Sequence, residues 1–127
     1  MTAFDRLFNP RGIAVIGASA DAARPGGQTV HALQREGFRG GVYPVNPKYP
    51  EIAGYACHPS LDRIAGDCDL AVIALPAGQV PAAIGQCADR GIGYAVVLGG
   101  GFREAGDEGI EVENAMLNVA RSRGVRI

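Results

Sequence analysis

Uninterrupted apolar runs alternate with amphipathic segments along this chain. Ile13, Ala14, Val15 and Ile16 follow one another with no polar side, so a strand over 12–17 buries both faces and belongs inside a parallel sheet. Residues 69–75 (Asp69-Leu70-Ala71-Val72-Ile73-Ala74-Leu75, then Pro76) form the longest such run and are predicted to be central. Residues 94–98 are a further buried strand that runs into Gly99-Gly100-Gly101-Phe102. The segment 41–45 is a short second strand, in which Pro44 predicts irregular or partial pairing.

Between these runs the period changes from two to about 3.6. Val30 and Leu33 mark a helix over 27–35 that contains His31 and stops at Gly37. Val80, Ala83, Ile84 and Cys87 share one face of a helix over 79–89, closed by Gly91. Ile110, Ala115, Met116, Val119 and Ala120 are the expected apolar side of a helix over 108–123, with Gly124 as its C-cap. Residues 3–8 suggest one amphipathic turn with Phe4, Leu7 and Phe8 lidding the sheet edge, and residues 59–65 a short helix after a loop over 49–58. Residues 125–127 read as the start of a fifth strand.

Strand and helix in alternation with short connections predict an α/β domain, a doubly wound, mainly parallel five-stranded sheet with helices on both faces. Ligands of such sheets bind at the carboxyl ends of the strands. Four turns are expected to converge there: Gly17-Ala18-Ser19, Asn46-Pro47-Lys48, Leu75-Pro76-Ala77 and Gly99-Gly100-Gly101-Phe102.

Composition narrows the setting. A chain of 127 residues has room for one domain, 1–127, here expected to be excised from a longer protein. Hydrophobic residues are 47% and charged ones 20%, as in a folded globular chain, and no apolar run approaches the ~18 residues of a membrane span. A cytoplasmic protein with no nucleic-acid or membrane partner is expected, because the net charge of −1 creates no global field for either. Cys57, Cys68 and Cys87 lack CxxC spacing and read as reduced fillers, and no metal-ligand spacing occurs. His31 and His58 have no nucleophile and carboxylate around them, so no catalytic residue is assigned. Asp107, Glu108, Glu111 and Glu113 read as a solvated helix start.

Glycine, 19 residues of 127, is the compositional outlier, and its placement matters most after the first strand. A small-residue turn before a helix N-terminus is suited to a phosphate. The dinucleotide fingerprint needs G-x-G-x-x-G and a carboxylate after the second strand. This chain has one early glycine, Gly17, a displaced pair at Gly26-Gly27, and Asn46-Pro47-Lys48 where the carboxylate would stand. An ammonium there suits a phosphorylated ribose, which favours CoA or NADP over NAD.

Together, Ala14–Ser19, Val42–Lys48, Asp69–Ala77 and Gly101-Phe102-Arg103-Glu104-Ala105-Gly106 resemble the CoA-binding domain of NDP-forming (ADP-forming) acyl-CoA synthetases, relatives of the succinyl-CoA synthetase α-subunit. The resemblance runs over nearly the whole chain, departing where the family reads Ser-Ala-Gly-Phe and this chain has Gly99-Gly100-Gly101-Phe102. It implies a Rossmann-like domain that holds CoA. Gly17, Ala18, Ser19 and Arg24 would lie near the pyrophosphate, and Gly26, Gly27 and, in the fourth turn, Gly100 would also bind CoA. Asn46, Pro47 and Lys48 would lie by the ribose and its 3′-phosphate, and Pro76 and Ala77 against the adenine or pantetheine. It also implies an acid:CoA ligase working through an acyl phosphate and a phosphohistidine in another domain. ATP or another NTP/NDP and Mg²⁺ would bind in ATP-grasp and phosphohistidine domains, in cis or in trans, and a homo-oligomer is compatible with this. These residues alone would bind CoA without turnover. Two other classes stay open, an NAD(P)-binding regulatory or reductase domain and a CoA-sensing domain of an acetyltransferase.

Overall fold

The computed structural model describes residues 4–127. Strand β1 (Gly12–Ile16) is buried at every position, as its apolar run requires. It pairs in parallel with β2 (Gly41–Val45) on one side, and after the short antiparallel hairpin of β3 (Glu51–Ile52) and β4 (Tyr55–Ala56), with β5 (Leu70–Ile73) on the other. β6 (Tyr94–Val97) pairs in parallel with β5, giving the order β2-β1-β5-β6. β1 and β5 are thus the inner strands of a doubly wound α/β, Rossmann-like sheet. Among the described residues the sheet has four strands. The fifth position is a single parallel bridge, where Ala95 N–H donates to the Arg126 carbonyl at 2.8 Å and Arg126 N–H to the Gly93 carbonyl at 2.9 Å.

Alternation along β1 divides the core. Ile13 and Val15 pack with Val72, Ile52 and Val30 of helix α2 (Pro25–Arg35), which follows the four-residue α1 (Asp5–Phe8). Ala14 and Ile16 pack with Ala71 and Ile73 against α3 (Val80–Asp89) and α4 (Asp107–Arg123) on the other face.

Five expectations are corrected. Pro44 does not disturb pairing, since β2 keeps register with β1 from Gly12↔Gly41 to Ile16↔Val45. Its carbonyl faces outward and accepts from His58 N–H at 2.9 Å, so the missing N–H lies on the side away from β1. α2 begins two residues early because Pro25 fits the first helical position, where no intrahelical donor is needed. The segment 59–65 forms only a 3₁₀ turn at Leu61–Arg63, although Leu61 and Ile64 are buried. Ala115 of α4 is exposed; the buried stripe is Gly109, Met116 and Ala120, with Ala115 one position round the helix from Met116. α1 covers the sheet edge only in part: none of its residues is fully buried, Phe4 and Phe8 lie against each other with centroids 6.5 Å apart, and the Arg126 guanidinium lies 5.6 Å from the Phe4 ring centroid. Ala3 lies outside the described residues.

Candidate functional site

Three strand ends meet around a cavity of about 430 Å³ at the carboxyl edge of the sheet. Gly17, Ala18 and Ser19 come from the end of β1, Asn46, Lys48 and Tyr49 from the end of β2, and Ala74 from the end of β5. Asp21, Arg24, Pro25 and Gly26 close it from the start of α2. The chain reverses direction across the sheet between β1 and β5, so this is the switch point at which open α/β sheets admit a ligand.

Close approach explains the glycines. Gly17 turns with φ +82°, and a Cβ there would stand 2.2 Å from the Ala74 carbonyl oxygen. A Cβ on Gly26 would stand 2.2 Å from the Gly17 carbonyl oxygen, so α2 can approach the turn only with glycine at that position. The turn itself is tied to β2 by Gly17 N–H donating to the Val45 carbonyl at 3.1 Å. The N–H groups of Ala18 and Ser19 have no partner among the described residues. Buried Ser19 accepts from Asp21 N–H through Oγ at 3.0 Å, and its hydroxyl proton remains for a ligand.

The electrostatics favour an anion. α2 has Arg24 as its N-cap, extended and with no side-chain cap, so its positive end faces the cavity. Arg24 is three-quarters exposed and only 3.9 Å from Asp21, whose carboxylate also accepts from Ala23 N–H at 2.9 Å. Lys48 has no ion-pair partner among the described residues; its Nζ lies 5.8 Å from the Tyr49 ring centroid. No group of three or more metal-ligating side chains occurs among the described residues.

Of the residues predicted for the site, the cavity brings together Gly17, Ala18, Ser19, Arg24, Gly26, Asn46 and Lys48. Gly27 is buried behind it, under the Asp21 carbonyl, and Pro47, Pro76, Ala77 and Gly100 are not on its walls. The last three belong to the neighbouring strand-end loops, which touch each other: a Cβ on Gly101 would stand 3.0 Å from that of Ala77. Four further wall residues, Asp21, Pro25, Tyr49 and Ala74, are not among those the sequence singles out. The available signal for Tyr49 was its place directly after Lys48, whose Nζ lies 5.8 Å from the Tyr49 ring centroid.

Other candidates fall away from this edge. His58 bridges to Val45 and sets its ring edge-on to Tyr43 at 5.9 Å, and His31 lies on α2; neither lines the cavity. Cys68 and Cys87 are buried and Cys57 half-buried, all free, with burial pushing the Cys87 thiol up to about 12. A second cavity of about 380 Å³ lies beside Ser60, Asp62, Gln86 and Arg90, but Arg90 donates there to the Ile64 and Gly66 carbonyls.

Fold and cavity together define an open α/β domain whose switch-point cavity, with free amides and two cations on its walls, suits an anion. A family model described as a CoA binding domain matches residues 11–127, and the chain belongs to that family. The ADP-forming acetate–CoA ligase II of Archaeoglobus fulgidus is 43% identical over 121 residues, covering 95% of this chain and 18% of that protein. The α subunit of the ADP-forming acetate–CoA ligase II of Pyrococcus furiosus is 39% identical, covering 97% of this chain and 27% of the subunit. A dinucleotide-forming acetyl-coenzyme A synthetase 1 of Ca. Korarchaeum cryptofilum, solved with phosphate and ADP, superposes with a TM-score of 0.90 at 39% identity over 98% of this chain and 26% of its own. The chain therefore spans about a quarter or less of these relatives.

Proposed function

We propose that this chain is the CoA-binding unit of an ADP-forming acid:CoA ligase. The observation that carries the reading is the cavity at the β1, β2 and β5 ends, where free backbone N–H groups, a helix N-terminus and two cations face one space. A diphosphate fits the Gly17–Ser19 turn, with Arg24 beside it, and a phosphorylated ribose fits the turn that carries Lys48. The rest of the ligand runs along the Pro76-Ala77 and Gly99–Gly101 loops. CoA supplies the thiol that accepts the acyl group; these residues hold the nucleotide end. The acyl phosphate, the phosphohistidine, ATP and Mg²⁺ belong to further domains, in cis or in trans, as the share of the relatives' length supports. The setting is cytoplasmic, in keeping with three free cysteines and with the absence, among the described residues, of any helix long and apolar enough to cross a membrane.

Calorimetric titration with CoA, 3′-dephospho-CoA and NADP tests this. CoA is expected to bind, dephospho-CoA more weakly, and NADP with little or no heat. NADP binding without CoA binding refutes the reading and returns the domain to dinucleotide chemistry.

A further inference from the structure

Asn46 spends both ends of its side chain on backbone. Nδ2 donates to the Ala18 carbonyl at 2.8 Å, across to the β1 turn, and Oδ1 accepts from Lys48 N–H at 2.9 Å, within its own turn. Its main chain is equally engaged, with N–H donating to the His58 carbonyl at 2.9 Å and the carbonyl accepting from the Cys57 thiol at 3.4 Å. The amide orientation is fixed by its neighbours, since the reverse would set donor against donor at Lys48 and acceptor against acceptor at Ala18.

We infer that Asn46 is a positioning residue: its side chain is a clasp that sets the spacing between the Gly17–Ser19 turn and the turn carrying Lys48, and through that spacing the preference for a ligand phosphorylated on its ribose. The inference rests on the CoA reading above and alters one part of it. Asn46 is placed by the ribose there, yet with both ends engaged it acts through Ala18 and Lys48, not by direct recognition.

The chemistry needs asparagine. The clasp requires a donor and an acceptor on one short planar group, which aspartate lacks and serine is too short to span. Lys48 is exposed, and its ammonium rides on a flexible stem. Its backbone is fixed by the Asn46 Oδ1 bond, and its distance from the β1 turn by the Nδ2 bond, beyond the Gly17 N–H tie to Val45 that holds the strand ends. A ligand bridging both turns senses that distance; a ligand without the 3′-phosphate uses only one of them.

CoA and 3′-dephospho-CoA are titrated into the wild type, Asn46→Ala, Asn46→Ser, Lys48→Ala and the Asn46→Ala/Lys48→Ala double variant, with a thermal midpoint for each. Wild type is expected to prefer CoA by about tenfold or more, the worth of one charge-assisted bond. Asn46→Ala is expected to reduce that preference to about threefold or less, and in the Lys48→Ala background to change it no further. Asn46→Ser keeps an acceptor for Lys48 N–H but loses the tie to Ala18, so it should lose the preference too, at less cost to folding. The ratio of the two affinities is the deciding readout, because a fold defect weakens both ligands alike. An unchanged ratio in Asn46→Ser, or equal weakening of both ligands in Asn46→Ala, overturns the inference while leaving the CoA reading in place. A wild type that takes up neither ligand overturns the CoA reading, and a wild type that binds both equally overturns the role given to Lys48; the inference falls with either.

Discussion

The two ends of the sheet carry the same kinds of charged side chain and use them differently. At the amino end, Arg11 is folded onto buried Asp69: Oδ2 accepts from Arg11 N–H at 2.8 Å and from Nε at 3.0 Å, and Oδ1 from the terminal guanidinium nitrogen at 2.7 Å. This fork joins the start of β1 to the start of β5 and holds the Asp69 carboxyl below the usual carboxylate range, chiefly through the side-chain hydrogen bond from Arg11. At the carboxyl end, Arg24 and Lys48 are exposed, with one loose carboxylate contact at 3.9 Å between them. The paired end locks the inner strands, and the unpaired end leaves charge for a ligand. Loss of a charge at the first end should therefore register in stability, and loss at the second in affinity.

The largest effect is expected at the paired end. Asp69→Ala removes a buried carboxylate that accepts three hydrogen bonds and should cost about 3 kcal/mol in urea unfolding, while the folded fraction binds CoA as before. A weakened CoA affinity with intact stability would erase the distinction between the two ends.

Next in size is Lys48→Ala, expected to leave the thermal midpoint unchanged and to weaken CoA by about 2 kcal/mol, with dephospho-CoA nearly unaffected. Equal losses for both ligands would separate Lys48 from the ribose phosphate.

A smaller effect follows from pH. The carboxyl of Asp69 has a folded pKa below its unfolded one, so its contribution is complete above the unfolded value, about 3.9, and is lost as pH falls through the lower folded value. Stability measured against pH should drop more steeply in that acid window for wild type than for Asp69→Asn. Parallel curves would assign acid unfolding to other carboxylates.

Much of this division was legible in the chain. Continuous apolar runs announce buried parallel strands, and the residue following each run marks a strand end, which is why Gly17, Asn46 and Lys48 could be named in advance. What escaped was fixed by tertiary contact. Sequence does not report which way an edge residue's N–H points, so Pro44 reads as disruptive, and Tyr49 reads as loop although it lines the cavity. The Arg11–Asp69 fork spans 58 residues and has no local signature. Asn46 was legible as a residue at a strand end, but its two bonds, one to a turn 28 residues away, were not.

The smallest predicted effect sharpens the contrast within the carboxyl end itself. Where the β1 turn leaves the Ala18 and Ser19 N–H groups free, the loop after β6 has an anion of its own: the Glu104 carboxylate accepts from Gly101 N–H at 2.6 Å and Phe102 N–H at 3.1 Å. Hydrogen bonds from its own backbone N–H and from those of Phe102 and Gly101 hold this carboxyl below its ordinary range. The order it imposes is thus present above that ordinary value and lost as pH falls through the folded one. Glu104→Gln keeps an acceptor but gives up the charge, and a neutral acceptor forms the weaker bond. Global stability should not change, because the side chain is exposed. Amide hydrogen exchange at Gly101 and Phe102 should quicken, while exchange at Ala18 and Ser19 stays as it was. If the two loops respond alike, the carboxyl end behaves as one unit; if only the 101–102 amides respond, one loop is held by its own carboxylate while the other keeps its amides independent of it.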